Sequence, residues 1–304
     1  MMHGVIPVLK PKGPTSHDVV AKLRRLAHTK RIGHTGTLDP MAEGVLVCCI
    51  GKATRIVPWL TGLPKEYTGE MILGVSTNTY DAEGQVTKER DPSGISREEI
   101  EAAFHARTGL IEQIAPPYSA VKVKGKKLYE YARQGEEVPR KVRTVFVERF
   151  ELLRFLPPTV FFRARVGSGT YIRSLAHTVG ESLGCGAHLT RLVRTAVGSF
   201  EIDNALPLEV LEADPDNLLP VSLLGIEEAL TFMPKLSLLP GPEMRLRHGG
   251  GFGMDDIAEC PELPQAGKPV MVLDSAGRAI AICQSDNESG PWKPVRVFPA
   301  DDAV

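Results

Sequence analysis

The sequence predicts an α+β fold, with helices set among sheet strands over the first two thirds of the chain and a small β-barrel at its end. Three observations lead there. Apolar runs of strand length, bounded by Gly or Pro, recur between residues 5 and 166; segments with helical apolar spacing fall among them; and beyond residue 235 short strands and turns dominate. At 304 residues the chain exceeds one ordinary domain of roughly 100 to 200 residues. The change of pattern divides it into 1–234 and 235–304.

Residues 5–9 form an apolar strand ended by Lys10-Pro11-Lys12-Gly13-Pro14, whose prolines and glycine force a loop. A helix follows. Thr15 or Ser16 caps it, Asp18 stands three residues past Thr15 as in a capping box, and Val19, Leu23 and Leu26 recur at helical spacing, leaving Lys22, Arg24 and Arg25 outside. Residues 45–50 predict a buried strand between Gly44 and Gly51, and residues 67–75 another. Val160, Phe162, Ala164 and Val166 alternate with more polar neighbours, a half-buried strand ending at Gly167-Ser168-Gly169. Residues 174–183 are helical. Pro234, Pro240 and Pro242 mark the link to the last unit, where 269–273, 279–283 and 294–298 are short strands separated by turns such as Asp274-Ser275-Ala276-Gly277.

A composition of 42% hydrophobic and 24% charged residues is that of an ordinary globular protein. No apolar run approaches the roughly 18 residues that cross a bilayer, and the start has no signal-peptide core, so a cytoplasmic protein with no membrane partner is expected. Cys48, Cys49, Cys185, Cys260 and Cys283 are odd in number and lack C-x-x-C spacing, which argues against disulfides and structural metals. Cys48 and Cys49, inside an apolar run, read as small buried hydrophobes. The net charge of −1 conceals an asymmetry. Residues 201–304 hold 7 of the 36 Lys and Arg and 18 of the 37 Asp and Glu, leaving 29 basic and 19 acidic residues in the first 200. That segregation favours a polyanionic partner for the N-terminal part. Between Pro116 and Arg143, Lys122, Lys124, Lys126, Lys127, Arg133, Arg140 and Lys141 interleave with Tyr129 and Tyr131. Composition alone reads this equally well as a projecting nucleic-acid grip and as a solvated helix with its tyrosines packed inward.

Three motifs fail on geometry. Residues 44–52 resemble a phosphate loop, but six residues rather than four separate Gly44 from Gly51, and Ala53 replaces the magnesium-binding hydroxyl. Ser16-His17-Asp18 has the letters of a hydrolase triad, yet helical neighbours do not face one another. The eight histidines form no H-E-x-x-H pair. The segment KRIGHTGTLDPMAEG, residues 30–44, is more constrained: glycines and a proline shape a loop that presents Asp39. On spacing alone Asp39 reads first as a turn or cap residue before Pro40.

The motifs together change that reading. KPKGPTS (10–16), KRIGHTGTLDPMAEGVL (30–46), KEYTGEMILG (65–74), NTYDAEG (78–84), APPYSAVKVKGKKLYEYARQGEEVPR (115–140) and GTYIRSLAHTVGESLGCGAHLTRLVRTAVG (169–198) occur in the order found in one family. Over residues 5–200 the chain closely resembles the bacterial tRNA pseudouridine-55 synthases, the TruB family. Residues 235–304, ending in KPVRVF, resemble more weakly the PUA-like RNA-binding barrel such enzymes carry. The resemblance implies a mixed-sheet catalytic domain and isomerisation of the uridine at position 55 in the tRNA T-loop, by a monomer needing neither metal nor cofactor. It implies that Asp39 is the essential aspartate and that Tyr67 packs against the target base. Tyr171, Arg173 and Leu192 fall on other pocket positions, His34 on the histidine contacting the flipped nucleotide, and Lys10 with Pro11 on a pair supporting the site. Residues 115–143 fall on an RNA-gripping insertion.

Elementary chemistry makes those roles reasonable. A stacked uracil must be extruded at a cost of about a few kcal/mol, and Tyr67 and Leu192 offer it apolar surfaces while His34 fills the space it leaves. Breaking the N1–C1′ bond builds positive character on the sugar, which an ionised carboxylate stabilises or traps. An adjacent Arg173 would keep Asp39 charged in a dry pocket. Sequence leaves open whether Asp39 attacks C1′, attacks C6 or abstracts a sugar proton, and whether it or Tyr67 assists loss of the C5 proton. Asp81 reads as a loop-ordering residue, and Tyr171 and Leu192 retain a reading as plain core. Two rivals remain: an RNA-binding folding factor that clamps tRNA, and a guide-dependent relative acting on ribosomal RNA.

Overall fold

Nearly continuous apolar runs form the middle of a ten-stranded mixed sheet. The computed structural model describes residues 2–298 apart from 120, 121, 124, 135, 137, 140, 263 and 289. Strands β1 (Gly4–Lys10), β2 (Glu43–Ile50), β3 (Lys65–Leu73), β4 (Gly109–Ile114), β5 (Val142–Leu156), β6 (Thr159–Val166), β7 (Ala187–Val197) and β8 (Leu206–Pro207) lie in the order β8-β1-β2-β7-β3-β6-β5-β4. Short strands Ile32–His34 and Phe200–Glu201 extend it beside β2 and β7. β1 with β8 and β2 with β7 are parallel, and the other pairs are antiparallel.

β1 and β2 lack strict alternation because both of their faces are covered. Ile6, Val8, Leu46 and Cys48 pack on one side with Val19, Val20 and Leu23 of helix α1 (Ser16–Leu26). Val5, Val45, Val47 and Cys49 pack on the other. Helix α1 begins as its residues require: the Thr15 side chain accepts from the Asp18 N–H, and the Asp18 carboxylate accepts from the Thr15 N–H. Helices α2 (Arg97–His105) and α3 (Ile172–Ser182) cover β3, β5 and β6, where Phe104 stacks on Phe150 at 3.8 Å and both meet the Phe162 ring edge-on. Sequence pattern gives no account of α2, β4 or β5. The strand expected over 67–75 ends at Leu73; Gly74 turns at a φ of +92°, and Val75–Thr77 starts a separate hairpin with Val86–Glu89.

Between β4 and β5 lie a two-residue hairpin (Lys122–Val123 with Lys126–Lys127) and the helix Leu128–Arg133. Lys124 and Arg140 fall outside the described residues, as do the side chains of Lys122, Lys127, Tyr129 and Arg133. Lys126 and Tyr131 face one another: the ammonium lies 4.3 Å from the ring centroid and 2.8 Å from the Glu136 carboxylate.

The C-terminal strands β9 (Lys235–Leu238), β10 (Ile257–Glu259), β11 (Val270–Leu273), β12 (Ala279–Gln284) and β13 (Lys293–Val297) make a five-stranded sheet in the order β10-β9-β11-β12-β13. Among the described residues the expected small barrel does not close. There β10 and β13 do not pair; a single bridge between Phe252 and Trp292 joins the segments leading into them. This sheet shares a core with the first: Met271, Ile282 and Phe298 cluster with Val5, Val45 and Leu60, and Arg55 Nη1 donates to the Val297 carbonyl at 2.7 Å.

Candidate active site

The loop between Ile32–His34 and β2 is held in place by side chains from three other parts of the chain. Ser16, buried in the first turn of α1, clamps Leu38: its hydroxyl accepts from the Leu38 N–H at 2.8 Å and donates to the Leu38 carbonyl at 3.0 Å. Lys10, fully buried at the end of β1, donates to the carbonyls of Ala42 (2.7 Å), Pro11 (3.0 Å) and Pro40 (3.4 Å). Arg194, on β7 and 1% exposed, donates to Val45 (2.7 Å), Gly36 (3.0 Å) and Thr37 (3.4 Å) carbonyls. Asp39 is thus presented by a fully braced backbone. The close approach of β7 requires glycine at 44, where φ is +111° and an added Cβ would lie 2.2 Å from the Arg194 carbonyl oxygen.

Strand order assembles the rest. β7 lies between β2 and β3, with Arg194 opposite both Gly44 and Tyr67, and Leu192 opposite Gly69. Tyr67 and Leu192 are 8% and 5% exposed, belong to the main core and also line a cavity of about 720 Å³. His34, Asp39, Tyr171 and Arg173 line the same cavity. The structure therefore brings together every predicted site residue except Lys10, which lies beneath the Asp39 loop and does not line the cavity. Its burial explains this: the ammonium is spent on loop carbonyls.

Arg173, in the first turn of α3 and 5% exposed, is the electrostatic centre. Its Nε lies 2.8 Å from Asp39 Oδ2, an ion pair whose N–H is not aligned as a hydrogen bond, and its Nη1 lies 3.3 Å from Asp81 Oδ2. Two carboxylates share one guanidinium. Asp81 also orders its own turn, accepting from the Thr79 hydroxyl and the Glu83 N–H, so the loop-ordering reading is right but incomplete. The guanidinium further donates to the Thr79 and Tyr118 carbonyls, and the Gln113 side chain holds both the N–H and the carbonyl of Tyr171. Arg143 lies 5.3 Å from the Tyr171 ring centroid and donates to the Gly169 carbonyl. Both ends of the insertion are therefore tied to the cavity wall.

Burial sets the protonation of the neighbouring bases. It lowers His34, with His17 and Arg194 adding repulsion, so the imidazole is neutral near pH 7. The ring meets His17 edge-on at 5.8 Å, and its Nδ1 accepts from the Gly36 N–H. Burial brings Lys10 down to about 8 against the pull of Asp39, and Lys65 down to about 8 with Arg194 adding to the effect. Among the described residues, no group of His, Cys, Asp and Glu side chains is arranged to hold a metal ion. Sequence reasoning missed Lys65 and Arg194, although both stand inside the family motifs; their signal is a charged residue on the inward register of an otherwise apolar strand.

Residues 24–172 match the TruB family pseudouridylate synthase N-terminal domain. Residues 173–231 match the tRNA pseudouridylate synthase B C-terminal domain. The tRNA pseudouridine synthase B of Geobacillus thermodenitrificans is 44% identical over 98% of this chain and 100% of its own length. The chain belongs to the TruB family of pseudouridylate synthases. A second TruB relative, from Bacillus cytotoxicus, is 43% identical over 98% of this chain and 97% of its own. Among solved structures, a chain of a Cbf5-Nop10-Gar1 complex superposes with a TM-score of 0.76 at 28% identity, covering 97% of this chain and 85% of that one. A chain of an H/ACA RNP bound to a substrate RNA containing 2′-deoxyuridine gives 0.75 at 26% identity, covering 98% and 86%. TruB membership makes the chain a pseudouridine synthase.

Proposed function

We propose that the chain isomerises the uridine at position 55 of the tRNA T-loop to pseudouridine, with Asp39 as the catalytic carboxylate. The observation that carries the assignment to Asp39 is its ion pair with buried Arg173 at the mouth of a cavity walled by Tyr67 and Leu192. The names of the full-length relatives support tRNA as the substrate.

The cavity suits an extruded nucleotide. Tyr67 and Leu192 receive the uracil faces, and neutral His34 stands beside the loop without adding a charge that desolvation would penalise. Asp39, negative beside Arg173, acts on the ribose as the N1–C1′ bond breaks. The base turns, C5 bonds to C1′, the C5 proton leaves, and N1 regains a proton, so atoms and charge balance. Asp39 and Tyr67 are the cavity groups suited to receive the C5 proton, directly or through water.

Unmodified tRNA carrying tritium at uridine C5 should release the label with the wild-type chain, and a parallel tRNA with cytidine at 55 should not. Binding without release would reduce the chain to an RNA-clamping factor. Release from a bare T-stem-loop by the isolated chain is expected, whereas a guide-dependent enzyme would leave that RNA untouched.

A further inference from the structure

Four buried cations lie around the Asp39 loop, and three of them, Arg173, Lys65 and Arg194, also line the cavity. Lys10 is covered by the loop itself. Lys65 and Arg194 are 6% and 1% exposed, and both border the cavity on the side of Gly36: a Cβ built there would lie 3.6 Å from Lys65 Cε and 3.6 Å from Arg194 Nη1. Neither has a carboxylate within ion-pair distance among the described residues. The Lys65 ammonium donates to the carbonyls of Thr61 (2.6 Å) and Leu63 (2.7 Å), which uses two of its three N–H bonds. The Arg194 guanidinium spends three of its five on backbone carbonyls.

Buried charge without a counter-ion is costly and is ordinarily paired. On the far side of the cavity the charge is closed, because Arg173 has Asp39 and Asp81. On this side it is open. Lys65 shares the inward face of β3 with Tyr67 two residues on, so a base packed on Tyr67 brings its own sugar-phosphate close to the ammonium. We propose that Lys65, backed by the positive charge of Arg194, binds a phosphodiester flanking the flipped nucleotide, the RNA supplying the missing counter-ion. The lowering of Lys65 by burial accords with this, since burial penalises its charged form and an arriving phosphate would offset that penalty. Binding the phosphate on one side of the ribose while Asp39 addresses C1′ fixes the sugar between two charged groups of opposite sign. The inference rests on the reading of the cavity as a uridine site in RNA.

The test uses T-stem-loop RNA with one neutral methylphosphonate placed either 5′ or 3′ to the target uridine. The adjoining sugar is 2′-deoxy, and the same deoxy RNA with ordinary phosphates is the control. With wild-type protein one of the two methylphosphonates should weaken binding roughly tenfold, the loss of one charge-assisted hydrogen bond. Lys65→Met should weaken binding of the control RNA by a similar factor and show no further loss on that methylphosphonate. Its slope of log affinity against log salt should fall by about 0.7. If neither methylphosphonate weakens wild-type binding, the inference is overturned, and that arm needs no variant to fold. Losses that add in full would make Lys65 a strut for the Thr61–Leu63 turn instead. Absence of tritium release by the wild type from an all-phosphate, all-ribose T-stem-loop would instead sink the isomerase reading, and this inference with it.

Discussion

At the scale of single residues the site turns on one guanidinium serving two carboxylates of different exposure. The Asp39 side chain is 36% exposed and free to meet substrate, whereas that of Asp81 is 6% exposed. Asp39→Asn should abolish tritium release while leaving tRNA affinity within about tenfold, since the amide keeps the shape but not the charge. Equal loss of both would make Asp39 a structural residue. Arg173→Met should cost about 3 to 5 kcal/mol in urea unfolding, because Asp81 then remains buried without its cation. A loss under about 1 kcal/mol would mean that Asp81 finds water or another donor. The pairing of Asp39 with Arg173 was legible once the motifs were recognised. That Asp81 completes the triad was not, because nothing local in NTYDAEG says that α3 passes beside it.

At the scale of elements, what reads directly from sequence is what neighbours in sequence decide. The Thr15–Asp18 capping box, the β1 and β2 runs and the glycine-bounded β6 all appear where local pattern puts them. The insertion of β7 between β2 and β3 is a long-range event, and it alone turns Lys65 and Arg194 from nominal surface charges into buried ones. The braces it completes can be tested. Ser16→Ala leaves the buried Leu38 N–H and carbonyl unsatisfied, so stability should drop by about 1 to 3 kcal/mol. The kcat should fall with little change in KM, because the Asp39 loop loses its clamp. An unchanged kcat would show that Lys10 and Arg194 suffice. Gly44→Ala should cost about 3 kcal/mol or more from strain and clash, read as a lost or greatly lowered melting transition.

At the scale of the whole molecule, buried titratable groups shape stability against pH. Lys10 and Lys65 sit at about 8 in the folded chain against 10.5 when exposed, so below pH 8 both states hold these protons and the burial cost is present in full. Between 8 and 10.5 the unfolded chain binds more protons, and stability rises. The buried thiols act oppositely. Burial raises Cys48, and lifts Cys49 and Cys283 to about 12, from 9.0, so above pH 9 the unfolded chain loses those protons first and stability falls. Urea midpoints should therefore climb from pH 8 to about 9 and decline beyond about 9.5. A monotonic fall from pH 8 would contradict the buried lysines.

The shared core of the two sheets has a consequence for how the chain can be divided. Met271, Ile282 and Phe298 reach across to Val5 and Val45, so the last third works as a cork seated on the back of the sheet whose loops carry Asp39. Cutting near residue 235 would uncork an apolar seam, and a 1–234 fragment should self-associate in sizing experiments rather than behave as a free-standing enzyme. Detaching the C-terminal sheet as though it were a separate module would strip the apolar cover from the face of β1 and β2 that carries Val5, Val45 and Val47.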